Sequence, residues 1–209
     1  MANDKPRNND SIGKTLLVVI VLCLVCSVIV AGAAVGLKAK QQEQRLLDKQ
    51  RNILAVAGLL QPRMPAEEVQ REFVQRIEPR LLDLQSGEFI QQDPTTFDRA
   101  QALRDNQMSI ALTPAQDIAG IRRRANVVEI YLVRSESGQI DKIVLPIYGS
   151  GLWSMMYAFV AIDTDGKTVR GITYYDQGET PGLGGEIENP IWRNQWSGKR
   201  LFEDKEQPA

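Results

Sequence analysis

The stretch NVVEIYLVRSESGQIDKIVLPIYGSGLWSMMYAFVAIDTDGKTVRGITYY, residues 126–175, decides the fold. It falls into four runs, 126–134, 142–147, 154–162 and 169–175, each rich in β-branched and aromatic residues. Such side chains suit a pleated, half-buried surface. Turn residues separate the runs: Ser137-Gly138, a glycine-bearing stretch around Gly149–Ser154, and Asp165-Gly166, which is a two-residue hairpin signal. The pattern predicts an antiparallel meander. All three tryptophans and all five tyrosines also lie beyond residue 125, so a cofactor, if bound, belongs at this end.

Upstream, the periodicity is helical. Residues 41–57 place Leu46, Leu47, Ile53, Leu54 and Ala57 on one stripe, and Gly58, Pro62 and Pro65 end it. A second helix is expected with Glu67 and Glu68 in its first turn and Val69, Phe73 and Ile77 on its buried side, interrupted by Pro79. Residues 85–106 are polar and turn-rich, hence loop with short elements. Thr113-Pro114-Ala115-Gln116 predicts a further helix start, ending near Arg122-Arg123-Arg124. Three arginines there suit a helix C-terminus, with phosphate binding as the sharper alternative. Pro190 opens a short helix that sets Trp192 and Trp196 on one face, with Gly198 as its stop. That stripe reads as core. Helices followed by an antiparallel sheet make the fold class α+β.

At the N-terminus, Leu16 to Leu37 carries no charge. At ~1.5 Å rise per residue that length crosses a ~30 Å hydrocarbon layer. A cleaved signal peptide would use Lys14, an apolar Leu16–Val30 and Ala31-Gly32-Ala33. The apolar run passes that site and meets Lys38 and Lys40, which favours a retained anchor. A lipoprotein site fails because Leu22 and Val25 precede the cysteines. Lys5, Arg7 and Lys14 before the span nearly balance Lys38, Lys40 and Arg45 after it, so charge leaves the orientation open. The chain divides into a tail (1–15), a transmembrane helix (16–37), a helical connector (38–62) and an extramembrane domain (63–209).

Composition removes much chemistry. There is no histidine, so Ser–His and Cys–His pairs and His-ligated metals are excluded. Cys23 and Cys26 both sit in the apolar run and read as soft packing residues; no metal site is expected. Beyond residue 40 the chain carries 20 basic and 24 acidic residues, which argues against a nucleic-acid partner. No catalytic residue is assigned.

Two glycine-bearing loops remain, Tyr148–Tyr157 and Gln177–Glu186. The second is neither a Rossmann fingerprint nor a phosphate-binding P-loop. Its glycines would let backbone amides approach a flat or anionic ligand. Thr180 adds a hydroxyl, Leu183 an apolar cap, and Trp153, Met155 and Met156 a polarisable surface. The set suits an isoalloxazine better than a bare phosphate. The bland reading is a structural turn beside a core tryptophan. Glu179, Glu186 and Glu188 lie close enough to be acid/base groups, but solvated loop carboxylates are the simpler reading.

Several segments together resemble a known family. They are Gly-Leu-Trp-Ser-Met-Met-Tyr-Ala-Phe-Val-Ala (151–161), Thr-Tyr-Tyr (173–175), Gly-Glu-Thr-Pro-Gly-Leu-Gly-Gly-Glu-Ile-Glu-Asn-Pro (178–190) with Trp192 and Gln195-Trp196, and Arg123-Arg124-Ala125-Asn126-Val127. Asn-Asp-Ser-Ile (9–12), Asp48-Lys49-Gln50 and Ile77-Glu78-Pro79-Arg80-Leu81 fit as well. The chain is similar to the C subunits of the sodium-translocating NADH:quinone oxidoreductases. The G subunit of Rnf complexes shares only a Glu-Thr-Pro-Gly-Leu-Gly stretch.

The resemblance implies a single-pass protein of the bacterial inner membrane with a periplasmic FMN-binding domain. It implies FMN as cofactor, with Trp153, Met155, Glu179, Thr180, Leu183 and Gly184 as cofactor-binding residues. The flavin would carry electrons between the iron–sulfur centre of the D and E subunits and the flavin of the B subunit; the A and F subunits complete the complex. In that family FMN is esterified to the threonine of a Ser-Gly-Ala-Thr motif near the C-terminus. No such motif occurs in these 209 residues, whose Ser-Gly pairs at 86, 137, 150 and 197 continue with Glu, Gln, Leu and Lys. The resemblance places the motif beyond the equivalent of Ala209. The competing reading is a non-redox, membrane-anchored assembly or docking subunit. Expressed as these 209 residues with a flavin transferase, the chain should show no flavin fluorescence in a denaturing gel; a fluorescent band at about 23.4 kDa would locate an attachment site elsewhere.

Overall fold

The structure is a computed structural model and describes residues 11–202. Lys5, Arg7, Asn9 and Asp10 lie outside the described residues. The chain separates into two units, residues 1–46 and 47–209. The first is occupied by helix α1 (Ile12–Ala57), which begins at Ile12 and not Leu16 because Ser11 caps it. The Ser11 hydroxyl accepts the Lys14 N–H at 3.3 Å. Among the described residues α1 is the one helix long and apolar enough to cross a membrane, and its apolar window is wholly unburied.

The second unit opens with the last turns of α1, whose Leu47, Ile53, Leu54, Val56 and Ala57 are buried. The connector expected over 38–62 thus contributes to the domain core. Gly58, at φ +77°, closes the helix: the Leu59 N–H reaches the Leu54 carbonyl at 2.8 Å and the Gly58 N–H reaches that of Ala55 at 3.1 Å. Helix α2 (Ala66–Arg76) follows, with Val69 buried.

Ile77, expected on that helix, instead starts strand β1 (Ile77–Asp83). Pro79 lies inside this strand and ends nothing. Strand β2 (Phe89–Ile90) covers only Leu81 and Leu82, so Pro79, which pairs with Tyr131 on one side, has no strand partner on the other, where a missing N–H costs little. Residues 85–106 hold short elements, as expected, including helix α3 (Arg99–Arg104) capped by Asp98.

No helix forms at Thr113. The Gln116 side chain accepts the Thr113 N–H and hydroxyl at 3.1 and 2.9 Å, but Asp117 then captures the N–H groups of Ile121 and Arg122 at 2.7 and 2.8 Å. With Gly120 at φ +65° and Arg122 at φ +62°, the segment curls instead of winding on. Strands β3 (Ser109–Ala111) and β4 (Arg123–Ala125) pair as a small ribbon, so Arg123 and Arg124 are strand residues, not a helix end.

The four sequence runs form strands β5 (Val127–Arg134), β6 (Ile140–Ser150), β7 (Met155–Asp163) and β8 (Val169–Asp176). All pair antiparallel in a six-stranded sheet of order β2-β1-β5-β6-β7-β8. The connection at Asp165-Gly166 is longer than two residues. Asp165 accepts the Thr168 hydroxyl at 2.6 Å and two N–H groups, which hold its carboxyl down to about 2.

Alternation along the strands sorts two buried faces. Tyr131, Val133, Val144, Phe159 and Ala161 pack under α1 with Met64, Val69 and Ile77. Val160, Ile162 and Val169 face the other way, beneath Trp196 and Leu201, which pack on them half-buried; Trp192, expected to share that core, is half-buried too and stacks obliquely on Trp196 at 5.7 Å. Strand β7 is buried from Ala158 to Ile162 and anchors both layers. At its centre the Phe159 ring meets Tyr131 edge-on at 5.9 Å and stacks on Tyr175 at 4.6 Å. Replacing Phe159 with alanine should cost about 3–5 kcal/mol in urea unfolding of the domain; a loss below about 1 kcal/mol would show this face to be loosely packed.

Candidate cofactor site

The two glycine loops lie side by side at one end of the sheet. The first is the β6–β7 turn, closed by the Ser150–Met155 pair and by the Gly151 N–H on the Ser154 carbonyl at 2.7 Å. The second leaves β8 at Asp176 and leads through a 3₁₀ turn (Gly184–Glu188) into helix α4 (Pro190–Asn194), capped by Asn189.

Glu179 joins them. Sequence reasoning treats it as a solvated loop carboxylate, yet it is only 8% exposed. Its Oε1 accepts the N–H groups of Trp153 at 3.1 Å and Ser154 at 3.3 Å across the gap between the loops. The Ser154 hydroxyl returns the link by accepting the Gly178 N–H at 2.7 Å. Gln177 accepts the Glu179 N–H at 2.6 Å while donating to Glu188 at 3.0 Å. Ser154 and Gln177 were not singled out from sequence, where nothing distinguishes them from ordinary loop polars.

This geometry changes the reading of the glycines. A Cβ on Gly151 would run into the Glu179 carboxylate, and one on Gly184 would sit 3.0 Å from the Glu179 Cβ and 3.1 Å from its Oε2. A Cβ on Gly178 would come within 3.1 Å of the Ser154 hydroxyl. The side-chain-free positions therefore make room for Glu179 and Ser154, and the loop that includes Thr180 turns back on itself through the Gly185 N–H to the Thr180 carbonyl at 3.0 Å.

The clasp leaves large apolar side chains outside. Trp153 is 71% and Leu183 73% exposed, one on each loop, with Leu152 also in water. Met155 is half-buried; Thr180 and Gly184 are exposed. Glu186 is exposed and accepts from Asn189. On the α1 side of the same sheet end, Arg99 lies 4.7 Å over the Tyr148 ring and 5.1 Å over that of Tyr157, an anchoring contact also absent from the sequence reading. Burial raises the Tyr148 hydroxyl above its ordinary range.

Trp153 and Leu183 offer the apolar faces that a flavin ring needs. Neither loop contains a lysine or arginine, so the residues present fit the ring and not the phosphate of FMN. Two cavities lie away from these loops: one of about 740 Å³ runs between Gly58–Gln61 and the end of α2, and one of about 210 Å³ is lined by Val56, Thr173 and Arg193.

Residues 151–208, which carry the clasp between the two glycine loops, match the family described as FMN-binding domain. The chain is 88% identical over its full length to the C subunit of the Na(+)-translocating NADH-quinone reductase from Yersinia pestis, covering 79% of that protein. It is 57% identical, over 94% of its length and 75% of the relative, to the C subunit from Pasteurella multocida. The crystal structure of Shewanella oneidensis NqrC superposes with a TM-score of 0.70 at 35% identity, over 81% of this chain and 76% of that one. The C subunit from Parabacteroides distasonis gives a TM-score of 0.61 at 25% identity, over 83% and 74%. This chain belongs to the family of C subunits of Na(+)-translocating NADH-quinone reductases, and is thus a subunit of an oxidoreductase complex.

If Gly151 serves Glu179, part of the destabilisation caused by Gly151→Ala should vanish in a Glu179→Ala background, the rest coming from the Ser154 carbonyl, 3.0 Å from the same Cβ. A double-mutant cycle should give a coupling of about 1–3 kcal/mol; additive effects would mean that Gly151 answers to something else.

Proposed function

We propose that this chain is the FMN-carrying electron-transfer subunit of its complex. It stands between the iron–sulfur centre of the D and E subunits and the flavin of the B subunit, in a complex that also holds the A and F subunits. Helix residues 16–37 anchor it in the bacterial inner membrane, with the domain on the periplasmic side. The family supports this reading, and the single observation that carries it is the exposure of Trp153 and Leu183 on loops locked together by Glu179. Large apolar side chains held in water by a rigid backbone are explained when a flat ligand covers them.

In this reading Trp153 and Leu183 contact the ring. Thr180 and the amides of the 180–185 turn meet its polar edge, and Met155 supports it from the sheet. Gly184 admits the Glu179 side chain and keeps the turn close to the ring. A bound FMN supplies one-electron chemistry, which the protein shapes by distance and polarity. The loops carry no cation, so the phosphate end is held by other means, in keeping with a covalent tether in the family.

Titrating free FMN into the detergent-solubilised chain tests the site. Covering a large apolar side chain is worth about 1.5–3 kcal/mol, so Trp153→Ala and Leu183→Ala should each weaken binding by about tenfold or more. Unchanged affinity in both, combined with loss of the other subunits from the complex, would favour the docking role that the exposed Leu152 and Ile191 also suit.

A further inference from the structure

Among the described residues Glu179 is the one buried carboxylate, and none of the salt bridges among them includes it. A charge withdrawn from water without a counter-ion needs hydrogen-bond donors, and the donors in place are the backbone N–H groups of Trp153 and Ser154. Three further features surround the same residue. Gly151 and Gly184 are open towards it from opposite loops. Gln177 fixes its backbone N–H. Ser154, one of its two donor residues, bonds back to Gly178, its neighbour in sequence.

We infer that Glu179 is the positioning residue of the flavin site. Its carboxylate holds the backbone N–H groups of Trp153 and Ser154 on one loop, and its side chain packs against Gly184 in the other loop's turn, where a Cβ would come within 3.0 Å of it, so that the Trp153 and Leu183 side chains are presented together to the ring. It acts through those two residues. This rests on the flavin reading of the loops, but the clasp itself is a property of the chain without any cofactor.

The two parts separate in one set of measurements on the full chain in detergent: amide hydrogen exchange without flavin, and binding of added FMN. Glu179→Ala should speed exchange in peptides covering 151–156 and 178–186 by roughly tenfold or more, leave the β7 core slow, and weaken FMN binding. Glu179→Gln keeps a carbonyl at the same reach and should restore most of the protection and affinity. Glu179→Asp is one methylene short and should behave like the alanine variant. If the alanine variant exposes β7 as well, the ranking of the Gln and Asp variants decides. Unchanged loop exchange in the alanine variant, or a glutamine variant no better than alanine, overturns the assignment. Trp153→Ala and Leu183→Ala should weaken FMN binding while loop exchange stays slow. If they leave FMN binding untouched while Glu179→Ala still frees the loops, the flavin reading fails and the clasp stands.

Discussion

A carboxylate removed from water must be met by donors, and in this domain that requirement organises the end of the sheet. Glu179 reaches from the loop after β8 to the backbone of the β6–β7 turn, and two loops far apart in sequence become one surface. The glycines on either side follow from it, since side chains there would occupy the space the carboxylate fills. Trp153 and Leu183, one on each loop, stay exposed beside the clasp.

The clasp can be this exacting because the sheet beneath it is stiff. Strand β7 is buried on both faces, under the last turns of α1 on one side and under Trp196 and Leu201 on the other. The turn that presents Trp153 grows directly from this strand, and the loop that carries Glu179 grows from its neighbour β8. Sites built on such elements hold their geometry better than sites on free loops. Binding elements that are fixed in advance lose less entropy when a ligand arrives.

Strands β5 to β8 were legible because their β-branched and aromatic runs are long and their turns carry glycine. Strand β1 was not: Glu67, Glu68 and the Val69/Phe73/Ile77 spacing satisfy a helical pattern, and Pro79 looks like a stop, yet it pairs with Tyr131 and is tolerated because β2 does not reach its other side. The expected helix at Thr113 had a valid cap, but Asp117 and two left-handed residues downstream outcompeted its propagation. Sequence marked both loops through their glycines and aromatic content, and the structure sets them side by side. It misjudged Glu179, because burial of a loop carboxylate depends on donors supplied by residues about 25 positions earlier. The reason for the glycines was equally hidden, since close approach to a ligand and close approach to a side chain leave the same mark in a sequence.

The most direct measurement is the set of nuclear Overhauser contacts between the ring methyl protons of FMN and the full chain. Contacts to the Trp153 indole and the Leu183 methyls together, on one bound ring, are the expected result. Contacts confined to another part of the domain, such as the cavity beside Val56, Thr173 and Arg193, would contradict the central claim that the Glu179 clasp builds the flavin face.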